Sequence, residues 1–327
     1  MKIHLSKIHI RDLQIEPPLL LAPMAGLTHS AFRQICNGFG GVGLLSTEML
    51  SARRLPTESP RFSPFLIRTA TENPLSYQLL TSTDKELAPA IDVLHRVKAD
   101  IIDLNMGCPA PAVGKFGAGI NLMDQPENTR CLVAEARKHT MLPLSAKIRL
   151  GSELDEQKLK DFCTMLEDEG LDMLSVHARL KNESFARSPR WEWIAKIKNW
   201  IKIPVIINGG IFSIKDAEDC LRISNADGLM LGRGAVIKPW LFAEIARKVY
   251  GADVSEQEIS LPVMYGKFID NLVELYRPEY RLGRLKQFTP YFAKNFKFGH
   301  LLATRIQVCQ SVEEAREKAV IFFEKSI

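Results

Sequence analysis

Ile101-Ile102-Asp103-Leu104-Asn105-Met106-Gly107-Cys108-Pro109 sets an apolar run against an abrupt polar end. The pattern reads as a buried strand that delivers Asn105 and a thiol to its C-terminal mouth. Enzymes built on parallel barrels keep their chemistry at that end. Gly107 allows a ligand close to the backbone, and Pro109 stops the strand. A single cysteine is more often a packed core residue than a reactive one, so the rest of the chain has to decide.

Outward from this segment the same beat repeats. Short β-rich stretches at 19–22, 42–47, 75–79, 101–104, 144–148, 173–176, 205–207 and 228–231 alternate with helix-length amphipathic ones. Eight such strands are what a TIM (β/α)8 barrel needs, so the fold class is α/β. Among the intervening helices, 83–97 carries a Thr83/Glu86 capping box, and 155–169 ends at Gly170. The strand ends offer Pro23-Met24-Ala25, Glu48, Gln78, Asn105 with Cys108, Lys147, His177, Asn208-Gly209-Gly210 and Gly232-Arg233. Gathered at one end of a barrel, they would converge on one pocket.

The 327 residues exceed a barrel of roughly 250. Ile3, Leu5, Ile8 and Ile10 alternate with polar residues, as in a hairpin within 1–17 that closes the barrel floor. Residues 239–250 read as a helix ending at Gly251, and 252–260 as a linker. From Pro262 onward the pattern is helical, with Phe268, Leu272 and Leu275 on one face. The expected organisation is a catalytic barrel over 1–250 and an all-helical domain over 261–327.

Hydrophobic content of 46% and charged content of 25% are ordinary for a soluble globular protein. No apolar run approaches membrane-spanning length, and no apolar segment follows the charged N-terminus as a secretory signal would. Six isolated cysteines lack metal-site or redox-pair spacing, which fits free thiols in the cytoplasm and no bound metal. The net charge of +5 permits a polyanionic partner. Between Arg277 and Arg305 seven basic residues face one acid, Glu279, a local charge of +6. A solvated helix face normally mixes signs, so this run favours a polyanion contact.

Gly38-Phe39-Gly40-Gly41-Val42-Gly43 matches the spacing of a dinucleotide fingerprint, but a helix precedes the glycines and a strand follows them, the reverse of what that motif requires. Gly114-Lys115-Phe116-Gly117-Ala118-Gly119 reads instead as a mobile lid after the Cys108 strand. Asn208-Gly209-Gly210 and Gly232-Arg233-Gly234 follow the last two strands, where this fold commonly holds phosphate. Bare backbone N–H groups and the Arg233 fork suit that task. Lys147 at an inward strand end needs an anion or ligand, since an unpaired buried ammonium is costly. His177 reads almost equally as a structural histidine or a cofactor contact. Flavin mononucleotide, FMN, fits a pocket with one phosphate site and a polar-edged ring. A sugar phosphate is the competing ligand.

Together, Ala22-Pro23-Met24-Ala25-Gly26, Ser46-Thr47-Glu48, Gln78, Asp103 through Pro109, Lys147-Ile148-Arg149, Val176-His177, Asn208-Gly209-Gly210 and Leu231-Gly232-Arg233 resemble the motif set of the tRNA-dihydrouridine synthases. The arrangement is most similar to the bacterial B-type branch, from about residue 3 to the end. The resemblance implies an FMN-dependent barrel, expected to be monomeric, that reduces a D-loop uridine of tRNA, at position 17, with NADPH. It places Pro23, Met24, Ala25 and Gln78 along the flavin ring and Lys147 at its N1–C2 side, with His177 nearby. Asn208, Gly209, Gly210, Gly232 and Arg233 would hold the phosphate. Cys108 would be the catalytic proton donor, since a thiol of ordinary pKa near 8.5 is mostly protonated at neutral pH. Asn105, Lys115, Arg281 and Arg284 are expected on the tRNA side, with 261–327 as the tRNA-binding domain. Two rivals are a dihydroorotate dehydrogenase-like FMN oxidoreductase, which needs no basic tail, and a non-catalytic tRNA-binding protein, which needs no Cys108.

Overall fold

A computed structural model describes residues 7–325. An antiparallel hairpin, β1 (Ile8–Ile10) and β2 (Leu13–Ile15), precedes eight parallel strands. These are β3 (Leu19–Leu21), β4 (Leu45–Ser51), β5 (Leu75–Leu80), β6 (Ile101–Met106), β7 (Leu144–Arg149), β8 (Met173–His177), β9 (Val205–Asn208) and β10 (Gly228–Leu231). Each pairs with its sequence neighbour from β4 to β10, and β10 pairs back onto β3. Between β3 and β4 a bridge at Leu20 and Leu44 nearly closes the barrel. The expected Ile3 and Leu5 lie outside the described residues.

Ile8, Ile10 and Ile15 of the hairpin join Leu20, Leu44, Ile101, Met173, Ile206 and Met230 in an apolar plug, each side chain worth about 1.5–3 kcal/mol on burial. The floor is therefore closed.

The barrel's outer helices are α1 (Ser30–Phe39), α2 (Leu87–Arg96), the single turn α3 (Pro111–Gly114), α4 (Pro126–His139), α5 (Glu156–Asp168), α6 (Glu192–Trp200), α7 (Ile214–Ser224), α8 (Arg233–Ile237) and α9 (Leu241–Lys248). Asp155 caps α5 by accepting from the Lys158 N–H, and Gly170 follows with φ of +93°. The capping box at Thr83 is not formed. Residues 84–86 make a 3-10 turn, and the Glu86 carboxylate instead accepts from the Thr81 hydroxyl at 2.8 Å. The second strand also starts later than the expected 42–47. Gly40 and Gly41 have φ near +80°, and Gly43 lies so close to the Pro17 carbonyl that a Cβ would sit 1.9 Å from it, so extension begins only at Leu45. The helix expected at 239–250 is shorter, because α8 ends first and α9 starts at Leu241.

The helical region comprises α10 (Leu261–Leu275), α11 (Pro278–Phe292), α12 (Gly299–Gln307) and α13 (Val312–Glu324). Phe268 and Leu272 are buried, whereas Leu275 is only half-buried. Residues 252–260 form no regular element, although the Gln257 amide reaches the Gly38 carbonyl at 3.0 Å. Phe288 of α11 packs on Phe32 of α1, the Tyr276 hydroxyl accepts from the Ser30 N–H, and the Asn271 amide donates to the Ala31 carbonyl. Gln287 presses on Gly26, where a Cβ would lie 1.8 Å from its Oε1. Beside this junction Arg33 and Glu72 form a buried ion pair at 2.5 Å, and Arg33 also donates to the carbonyls of Thr28 and Ile67. No described helix is long and apolar enough to cross a membrane.

Candidate active site

The C-terminal ends of the strands converge as the barrel rule requires. Pro23, Met24, Lys147, His177, Asn208, Gly209, Gly210, Gly232 and Arg233 line one cavity, together with Phe185 and Phe212. Ala25 is exposed and lies outside the lining. Gln78 is fully buried within the barrel, where its amide donates to Asp103 and accepts from Asn105.

At the β9 end only glycine is sterically allowed. Gly209 has φ of +113°, and a Cβ there would lie 2.8 Å from the His177 ring. Gly210 has φ of +82°, and its Cβ would meet Pro189 at 2.7 Å. Asn208 donates to the Met230 carbonyl at 2.8 Å and ties β9 to β10. Arg233 opens α8 with its guanidinium 4.0 Å from the centre of the Phe185 ring, and among the described residues no carboxylate pairs with it. A glycine cradle beside a free guanidinium suits phosphate.

Lys147 projects from β7 with no hydrogen-bond or ion-pair partner for its Nζ among the described residues. Burial first, and then the Arg149 charge, pull its pKa down to about 8. Burial, followed by the charges of Lys147, Arg149, Arg179 and Arg233, holds His177 far below the usual imidazole range. The Arg179 guanidinium can only donate, and it lies 3.0 Å from His177 Nε2. That nitrogen must accept, so the ring is neutral with its proton on Nδ1. The cavity therefore holds unpaired positive charge and a neutral donor, a setting for an anionic ligand.

Cys108 is half-buried at the head of β6, with its turn tied on every side. The N–H groups of Gly107 and Cys108 donate to Asn105 Oδ1 at 3.3 and 3.1 Å. The Gly107 carbonyl accepts from Arg149 at 3.0 Å, and the Cys108 carbonyl from Ile120 N–H at 3.1 Å. The segment expected to be a mobile lid is folded: α3 and a 3-10 turn, Gly119–Asp124, flank it, and Asn121 binds the Gly114 carbonyl. Lys115 and Phe116 stand exposed outside the cavity.

The basic tail differs from the solvent-facing grip the charge run suggested. Arg281 donates to the carbonyls of Tyr276 and Val273 and so closes the end of α10. Arg284 has a side chain only 10% exposed, stacks on Tyr276 and lies 3.9 Å from Glu48 Oε2. Glu48 itself accepts from the Gly26 N–H at 2.5 Å, and burial raises its carboxyl pKa. Arg277, Lys294, Lys297 and Arg305 are the exposed cations of the run. Arg179, Phe185, Phe212 and Asp103 had no assigned role in the sequence. The nearest signal was Arg179, two residues beyond the strand-end histidine. Among the described residues no cluster of three or more His, Cys, Asp or Glu suits a metal ion.

The family described as dihydrouridine synthase (Dus) matches residues 20–298. A Neisseria meningitidis protein named tRNA-dihydrouridine(16) synthase is 33% identical over 312 residues, covering 91% of this chain and 92% of its own. A Pseudomonas putida protein of the same name is 33% identical over 293 residues, covering 85% and 88%. The tRNA-dihydrouridine synthase B of Pasteurella multocida is 32% identical over 235 residues, covering 72% and 70%. Among solved structures, an old yellow enzyme homologue from Zymomonas mobilis shares the fold, with TM-score 0.52 at 11% identity over 85% of this chain and 98% of that one.

Proposed function

The chain belongs to the dihydrouridine synthase family and forms dihydrouridine in tRNA, and on that premise we propose how its residues perform the reduction. The substrate bond is C5=C6 of a D-loop uridine, the cofactor FMN and the external reductant NADPH. The observation that carries this reading is the shared cavity in which the glycine cradle, the free Arg233 guanidinium and the unpaired Lys147 ammonium face one another. These residues fit the cofactor's phosphate at one end and the electron-rich edge of its ring at the other.

In this reading Gly209, Gly210, Gly232 and Arg233 would hold the phosphate. Lys147 would meet the N1–C2 side of the ring, with the Nδ1–H of His177 nearby. Gln78, already held by Asp103 and Asn105, retains one amide hydrogen for the ring edge. When bound, FMN would supply hydride chemistry, and Cys108 would give its thiol proton to C5 of the uracil. A stacked nucleotide cannot reach the mouth, so the uridine must swing out of the tRNA. The exposed cations near Tyr291 and Phe298 suit the surrounding phosphates and unpaired bases.

We read the target position from the names of the relatives that cover most of the chain. Those covering about nine-tenths of the chain are named for position 16, whereas the B-type relative aligns over 72%. We therefore read position 16, in place of the 17 that the B-type resemblance implied. Mass mapping of tRNA treated with the purified protein tests this choice.

Half-reactions test the chemistry. A flavin-bearing preparation should bleach with NADPH and regain colour with tRNA. Cys108→Ala should still bleach, while its reoxidation by tRNA falls by about 10²–10⁴-fold. Equal loss in both halves would make Cys108 structural, and absence of flavin after reconstitution would remove FMN from the scheme.

A further inference from the structure

We propose that Asp103 is a positioning residue that sets the polarity of a hydrogen-bond chain ending at the Cys108 turn. It rests on the reading of Cys108 as the proton donor, but its primary test does not. Ser145 Oγ donates to Asp103 Oδ1 at 2.6 Å, and Gln78 Nε2 donates to Asp103 Oδ2 at 2.6 Å. Asn105 Nδ2 then donates to Gln78 Oε1 at 2.7 Å. That leaves Asn105 Oδ1 to receive the N–H groups of Gly107 and Cys108.

Both ends of the chain are set by their partners. Backbone N–H groups can only donate, and Asp103, whose carboxyl pKa burial raises, is met by a donor at each oxygen, Ser145 at Oδ1 and Gln78 at Oδ2, so it accepts at both. The two amides between them each have two possible orientations, and only one pair satisfies every contact. An amide that is free to turn would present its NH2 to the turn, where two N–H groups already point. All four side chains are buried, so water cannot repair such a mismatch. The structure thus places the choice of orientation at Asp103, well below the thiol it serves.

Asp103→Asn, made together with Ser145→Ala so that no hydroxyl is left to accept the new NH2, provides the test, because it keeps the shape and adds a donor. The added NH2 then faces Gln78, and Gln78 and Asn105 turn over, releasing the Cys108 turn. In a Cys131→Ser background, which removes the other accessible thiol, Cys108 of the holoprotein should be alkylated by iodoacetamide faster by on the order of 10-fold, as expected for two lost hydrogen bonds. Reoxidation by tRNA should slow more than reduction by NADPH. Adding Gln78→Glu to this pair moves the acceptor-only group one position along the chain, so Asn105 again points correctly and alkylation returns toward the wild-type rate. If the pair fails to fold, Gln78→Leu against Gln78→Glu makes the same comparison: the first cuts the chain and should speed alkylation, and the second preserves it and should not. Unchanged alkylation in Asp103→Asn/Ser145→Ala or in Gln78→Leu, or no recovery on adding Gln78→Glu, overturns the proposal. Should Cys108→Ala keep full reoxidation, the proton-donor reading fails, while the alkylation result still decides the role of Asp103.

Discussion

Replacing Lys147 with Met should stabilise the ligand-free protein and weaken its hold on the cofactor. The ammonium has no partner among the described residues, and its pKa falls from 10.5 to about 8 through burial and the nearby Arg149. That gap corresponds to about 3 kcal/mol, of which solvent at the cavity mouth screens part, leaving about 1–2 kcal/mol. The sign follows from proton binding. Below pH 8 both folded and unfolded chains hold the proton, and folding bears the full cost of burying the charge. Between about 8 and 10.5 the unfolded chain binds more protons than the folded one, so wild-type stability rises with pH. Met fills similar space without the charge, so Lys147→Met should exceed the wild type by about 1–2 kcal/mol at pH 7, with the difference closing as pH approaches 10.5. Urea denaturation of the ligand-free proteins at pH 7 and 10 measures this. A variant less stable at pH 7, or a difference that ignores pH, refutes the assignment of Lys147 as an unpaired cation awaiting an anion.

Arg233→Ala should cut retention of a phosphate-bearing ligand by about 1.5–3 kcal/mol, read by dialysis, because the guanidinium is free to give both its hydrogen bonds. Glu72→Ala leaves Arg33 buried and uncompensated, so unfolding free energy should drop by about 3–5 kcal/mol in denaturant titrations. Lys294→Glu and Lys297→Glu should each shallow the log–log salt dependence of tRNA binding by about 0.7–0.9 if each side chain meets one phosphate. These exposed positions test the RNA face more cleanly than Arg284, whose reversal would set two carboxylates against each other at Glu48.

The barrel was legible because its strands are short apolar runs with polar ends, a pattern independent of partners. The run 228–231 matched the observed strand, and β6 ran only two residues longer than expected. The extra residues are Asn105 and Met106, held in the strand by their pairing with Lys147 and Ile148 of β7. Such long-range pairing leaves no local signature, and Asp103 therefore passed as one polar residue in an apolar run. The Thr83 capping box failed for a related reason: its glutamate found a better donor in Thr81. Charge counting located the basic stretch but not its direction. Only packing shows that Arg284 turns inward while Lys294 and Lys297 stay outside.

The contact of Gln287 with Gly26 bears on modularity. In the sequence the helical tail over 261–327 reads as a separate appendage. Yet the apolar core runs unbroken from the barrel into α10–α13, and α1 lends its Phe32, Ser30 and Ala31 to the joint. A transplanted tail would meet a foreign α1 and a strand-end loop shaped for another side chain. The tail is therefore not a separable unit: any exchange of it would have to carry α1 and the Gly26 loop along.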